Sequence, residues 1–417
     1  MRGETAISGA GASSARDAQV VGPTYRPPET EPRRRTLFAQ ALVDTFSQPG
    51  ARLGAVWIGV VIVLAIFAPF LASSFPLAMK RTGGGWEFPL FANLHPIDVL
   101  LVVIFLTVAV LAVVRPVGLG KSLLAVAIVT AVATPVCFWV TDPPRSVVWE
   151  QYREMAARGE IEKAYYTIIP YSANDRMRDR PQEVRKPPSS AHWLGTTIFG
   201  EDMLSRMIHA CRVALTIGII ATSISVIIGI IIGGLMGYFA GWVDLLGMRL
   251  IEIVQAIPGL ILLLIITAFF GKSLYLMMVV IGLISWTANA RFIRAEFLKL
   301  RKLDFVQAGI AAGLPLRSIL FRHMLPNGVA PVLVNASFGI AGAILLESTL
   351  SFLGLGLEAK DPSWGQLLNQ ARAGGTGFNW WIAVFPGAAI FLTVFSYILI
   401  GEAARDAIDP KLRKMRD

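Results

Sequence analysis

Residues 304–327 read DFVQAGIAAGLPLRSILFRHMLPN, an island of small and polar residues between long apolar runs. A chain that crosses a bilayer rarely keeps such a stretch between spans unless it works outside the hydrocarbon. Its chemistry predicts a helix–turn–helix. Asp304 is placed to cap a helix start. Ala308, Gly309, Ala311 and Ala312 leave that helix without bulk, so another protein can approach closely. Gly313 and Pro315 break it, residues 316–324 form a second helix, and Pro326-Asn327 reset the direction before the next span. The expected result is a rigid knob held between two spans. Seated in a moving partner, such a knob transmits motion as a lever.

Composition agrees with a membrane setting. Of 417 residues, 54% are hydrophobic and 16% charged, against about 25% charged in an ordinary soluble domain. The apolar residues cluster into blocks of about 20, the length that crosses a bilayer of about 30 Å. The blocks are 53–71, 97–114, 121–140, 213–238, 250–270, 274–290, 328–350 and 381–401, which makes eight spans. The formal net charge of +10 does not indicate nucleic acid. The basic residues gather in short segments beside spans, as the positive-inside rule requires. With the N-terminus inside, Arg115, Lys121, Arg249, the 291–322 region and the 411–416 tail fall on the same side. The C-terminus is then cytoplasmic as well.

Residues 1–36 are rich in Gly, Ala, Ser, Pro and charge, and read as a disordered cytoplasmic tail. Residues 37–72 carry the first span. It starts too far into the chain for an ordinary secretory signal, so it stays as an anchor. The segment 141–196 is an extracytoplasmic domain. Residues 145–166 have helical character, with Glu and Arg/Lys at pairing distance, and 174–188 reads as extended. That domain is either a solvated surface or a contact surface for a partner protein. Residues 192–206 read as an amphipathic helix in the membrane interface: Met203 and Leu204 are apolar, Glu201, Asp202 and Arg206 polar. Trp193 beside His192 reads as an interface anchor.

Several motifs carry no catalysis. RPVGLGKS at 115–122 imitates a phosphate loop, but Arg115 stands where the first glycine belongs and an apolar span precedes it. The chain is therefore read as a non-enzyme without a nucleotide site. Cys137 and Cys211 are each isolated and read as small apolar residues, so no metal or redox site is expected. His209 and His323 have no acid or Cys nearby in sequence. Gly229, Gly233, Gly234 and Gly237 recur at helical spacing, for close packing of spans or for a gate. Glu347 is the one acid well inside apolar sequence; it pairs within the complex or lines the path.

Residues 190–410 carry an ordered series of further motifs. They are HWLGTTIFGEDMLSRMIHACRVAL at 192–215, GYFAGWVDLLGMR at 237–249, the 304–327 island, LSFLGLG at 350–356, DPSWGQLL at 361–368, FPG at 385–387 and GEAARDAIDP at 401–410. In this order they resemble the C-type permease subunit of dipeptide and oligopeptide ABC importers, nearest in look to the subgroup for larger peptides and microcin C. The resemblance implies an all-α polytopic fold. A six-span core occupies 197–410 together with the first span, and the hairpin 97–140 is an insertion. It implies transport of di- or oligopeptides into the cytoplasm across a bacterial inner membrane, with nickel as the alternative solute. It implies no cofactor on this chain and ATP with Mg on partners. Those partners are a homologous second permease, two ATPase subunits and an extracytoplasmic peptide-binding protein. The 304–327 island then docks the ATPase through Asp304, Gln307, Ala308, Gly309, Gly313, Arg322, His323 and Pro326. The chain departs from the family in reading Gln307-Ala308-Gly309 where Glu-Ala-Ala is usual.

Overall fold

The computed structural model describes residues 37–113, 119–141, 147–373 and 378–408. The expected tail at 1–36, Arg115 and the 411–416 stretch lie outside them. The chain begins with α1 (Leu37–Ser47) and the apolar α2 (Pro49–Leu71). Two short strands follow, β1 (Ala78–Arg81) and β2 (Trp86–Glu87), with a turn α3 (Pro89–Ala92). The inserted hairpin is α4 (Pro96–Val113) and α5 (Leu119–Val140). Next come α6 (Gln151–Ala157) and β3 (Ile161–Tyr165). The expected helix over 145–166 is therefore only its middle. Residues 161–165 pair antiparallel with β1, which also pairs with β2. Ile161 and Ala164, three residues apart, are both half-buried, because a register shift at Lys80/Arg81 sets them opposite Arg81 and Met79, which share a face of β1. The otherwise helical fold thus carries one small sheet, and 72–96 joins 147–202 in the domain at that end.

The core is a bundle around α7 (Met203–Phe239). The expected interfacial helix over 192–206 is not present. Residues 192–202 form turns, and α7 starts at Met203, with the Asp202 carboxylate accepting from the Ser205 N–H at 2.8 Å. Glu201 and Arg206 are buried as an ion pair at 2.8 Å, because each finds its charge partner inside the domain. The other Asp202 oxygen holds His192 Nδ1 at 2.7 Å, so His192 is locked beneath the helix.

The expected single span 250–270 is a broken pair, α8 (Gly241–Ala256) and α9 (Gly259–Phe270), bent by 68°. Pro258 has no N–H to continue the helical ladder, and Ile257 before it is extended at φ −90°, ψ 120°. Counting that pair, the described residues hold up to eight span-capable segments.

The second half continues through α10 (Leu274–Leu300) and α11 (Asp304–Ala311). After it come α12 (Leu316–Ser318), a π-helical turn at Ile319–Met324, α13 (Leu325–Gly328) and α14 (Ala330–Phe352). The chain ends in α15 (Trp364–Ala373) and α16 (Trp380–Ile408). Helix α7 packs on α10, α14 and α2, and α16 packs on α14, α2 and α1. The α7–α10 contact is backbone to backbone. A Cβ on Gly229 would lie 2.5 Å from that of Asn289, one on Gly237 2.7 Å from the Arg294 carbonyl, and one on Gly233 would overlap Ala290. Small residues at every fourth position let the helices meet this closely. The hairpin α4–α5 stands apart and touches the bundle mainly along α2. Arg212 of α7 ties it in, holding Asp98 at 2.5 Å and the Ala65 carbonyl at 3.0 Å.

Candidate functional site

At one end of the bundle, residues 304–328 fold back against α7, α10 and α14. Val306, Ile319 and Met324 are buried in a shared cluster with Ile293, Phe297, Leu300 and Val332. These three anchors fix the segment on its inner side. Asp304 is the first helical residue and not the cap; Leu303 holds the cap position and makes no side-chain bond there. Its carboxylate still lies at the positive end of the helix dipole.

The turn between the helices is a Schellman motif. Gly313 sits at φ +70°, its N–H donates to the Ile310 carbonyl at 3.0 Å, and Leu314 N–H donates to Gly309 at 3.1 Å. Pro315 then starts α12. From Leu316 to Phe352 the backbone stays helical through the π turn at Ile319–Met324 and a bend at Val329. Pro326 does not turn the chain; it follows directly on the π turn Ile319–Met324, and the backbone stays helical through it.

The outer face of this knob is open. Asp304, Gln307, Ala308, Gly313, Arg322 and Pro326 are exposed, and Gly309 and His323 are half-buried. Gln307 uses its amide to hold the Arg301 carbonyl at 2.6 Å, so it fastens the helix start. The sequence reading missed the apolar members of this face: Phe305, Ile310, Leu314, Leu316 and Phe321 are all exposed. Their signal was their spacing around the Gly313 turn. Arg317 and Arg322 make no ion pair among the described residues.

A second feature lies midway along the bundle. Thr222 and Ser225 of α7, Ser285 and Asn289 of α10, and Asn335 and Phe338 of α14 line a cavity of about 220 Å³. Asn289 donates to Ser225 at 2.8 Å and accepts from Asn335 at 2.8 Å, while Thr222 Oγ1 is buried without a protein partner. Buried amides and hydroxyls in a span are costly unless they face protein or water. This cavity had no clear sequence signal, because its residues come singly from three helices. Glu347 lies nearer the opposite end of α14 and is buried, with Ser351 donating to it at 2.7 Å and Ser348 at 3.3 Å. It pairs with serines of this chain. No group of three or more potential metal ligands occurs among the described residues.

Comparison with known proteins gives the family. Residues 229–414 match the family described as binding-protein-dependent transport system inner membrane component. A glutathione transport system permease protein of Pectobacterium atrosepticum is 38% identical over 59% of this chain and 81% of its own length. An oligopeptide transport system permease protein of Haemophilus influenzae is 40% identical over 53% of this chain and 71% of its own. A dipeptide transport system permease protein of Alkalihalophilus pseudofirmus is 36% identical over 56% and 76%.

Proposed function

This chain belongs to the binding-protein-dependent transport system inner membrane components, and on that premise we propose that it is the permease subunit of an ATP-driven peptide importer. The observation that carries the reading is mechanical. The 304–328 knob, with small and apolar residues outward, continues as helix into α14, and α14 lines the midway cavity. A partner that moves the knob therefore moves a cavity wall.

The partners follow from this reading. A separate ATPase grips the knob, a second ATPase and a homologous permease complete the transporter, and an external binding protein delivers peptide. Residues 304–328 then face the cytoplasm, as do both termini, and residues 147–202 face outward in the bacterial inner membrane. The chain contributes no nucleotide site, since Arg115 replaces the first glycine of a phosphate loop. ATP binding supplies the differential affinity that any switch between inward and outward openings requires.

The cavity chemistry supports peptide over nickel. Its polar groups are hydroxyls and carboxamides, which match a peptide backbone; imidazole, thiolate and carboxylate, the usual donors to such a metal, are not in its lining. Uptake of radiolabelled tri-alanine by cells carrying the complete transporter tests this. ATP-dependent uptake blocked by unlabelled peptide and indifferent to excess Ni²⁺ is expected. Uptake of nickel in place of peptide overturns the substrate assignment.

A further inference from the structure

Where α7 meets the root of the knob, Ile231, Gly234 and Leu235 of α7, Phe297 of α10, and Leu320 and Phe321 enclose a cavity of about 100 Å³. No polar side chain lines it. Ile231, Leu235 and Phe321 are exposed, so the cavity opens to the outside of the bundle. Gly234 deepens it, since a Cβ there would lie 3.2 Å from the Phe297 ring. The knob's share of the wall comes from the π turn Ile319–Met324, a type of turn that recurs at functional sites.

The surroundings say what fills it. Ile227, Ile231, Leu235 and Phe239 are exposed apolar residues spaced four apart, one continuous row along α7. A span shows such a row to lipid. Trp242 is exposed just past the end of α7, where an indole marks the bilayer boundary. Leu235 and Ile231 lie one and two turns inside that end, the depth at which acyl chains join their headgroups. Arg317 stands four residues before Phe321, on the same side of the helix and one turn nearer the knob's tip. It is exposed and makes no ion pair among the described residues. A helical side chain leans toward the N-terminal end, here the tip, so the guanidinium snorkels to headgroup depth. The chain's own ends do not suit the cavity: 409–417 reads DPKLRKMRD, and 1–36 holds few large apolar side chains.

We propose that this cavity holds one acyl chain of an anionic phospholipid of the cytoplasmic leaflet, with the lipid phosphate at Arg317. Basic groups at this depth attract that leaflet's negative charge. Of the importer reading the proposal takes only that the knob faces the cytoplasm. A lipid seated here touches α7 and the π turn together, and so braces the knob against the bundle.

The test uses the complete transporter in lipid vesicles. A phosphatidylglycerol with a diazirine near the glycerol end of one acyl chain should label residues 230–235 and 320–325. Unlabelled phosphatidylglycerol should displace it about fivefold better than phosphatidylcholine, the worth of one basic residue near an anionic surface. Arg317→Gln should erase that preference while labelling persists. Ile231→Trp should fill the cavity and abolish labelling; Arg317→Gln, at an exposed position, decides alone if the Trp variant does not fold. No labelling, labelling indifferent to headgroup charge, or a preference untouched by Arg317→Gln overturns the proposal and leaves ordinary lipid contact. Labelling that vanishes whenever the ATPase is bound also overturns it and gives the cavity to the ATPase. Each of these leaves the importer reading standing; that reading fails instead if no ATPase co-purifies with wild type.

Discussion

Leu314 donates its backbone N–H to the Gly309 carbonyl at 3.1 Å, closing a turn around Gly313 at φ +70°. This bond joins the two halves of the knob and fixes their angle. A β-branched residue at 313 pays about 1–2 kcal/mol for the left-handed conformation. Gly313→Val should leave membrane insertion intact, as read by fractionation, and lower ATP-driven uptake severalfold. Gly313→Asn, which tolerates that conformation, should retain most uptake.

The glycine row of α7 sets the bundle. Gly229→Ala places a methyl 2.5 Å from the Asn289 Cβ, and such overpacking costs about 1–3 kcal/mol. The purified chain should melt several degrees lower. Gly342→Ala and Gly387→Ala, where a Cβ meets nothing within 4 Å, should leave the melting temperature unchanged.

The 147–202 domain has an acid limit. Arg153 grips Asp175 at 2.5 Å and Asp179 at 2.8 Å. The bond from Arg153 holds the Asp179 carboxyl below its ordinary range. A depressed carboxyl contributes stability that is present above its unfolded value, about 3.9, and lost as pH falls through the folded one. A fluorophore on Glu160→Cys should therefore report loosening of α6 only below about pH 4. In Asp179→Asn the same domain should already be looser at pH 7, and the remaining acid response should shrink.

Much of this architecture is legible in the residues because membrane spans obey length and apolarity alone. The knob was readable from Gly313 and Pro315, since both act on the local backbone. Pro258 also carried a readable signal, but an apolar run hides a bend, and 250–270 reads as straight. Residues 161–165 read as helix because charge spacing fits either structure; only β1, about 80 residues earlier in the chain, makes them a strand. Glu201 and Arg206 read as a solvated face because a charged residue normally is one. Their burial depends on each other and on Ala173, Ala359 and Gln366, which sequence order does not bring together. The midway cavity was hidden for the same reason.

One ion pair among the described residues ties the inserted hairpin to α7, beside its packing on α2. Asp98 at the start of α4 meets Arg212 of α7 at 2.5 Å. Asp98→Asn should weaken that hold by about 1.5–3 kcal/mol, the worth of a charged hydrogen bond. Protease access to residues 89–98 should rise, while the α7–α10 packing and its melting transition stay as they are.

The central claim is that residues 304–328 are the handle by which a separate ATPase drives this chain. Affinity purification of the tagged chain from its native membrane, beside Gly313→Glu, tests it most directly. The account predicts that a P-loop ATPase and a second permease co-purify with wild type, and that the ATPase is lost from the variant while the permease remains. A wild-type chain that comes out alone, or a variant that keeps its ATPase in full, would contradict it.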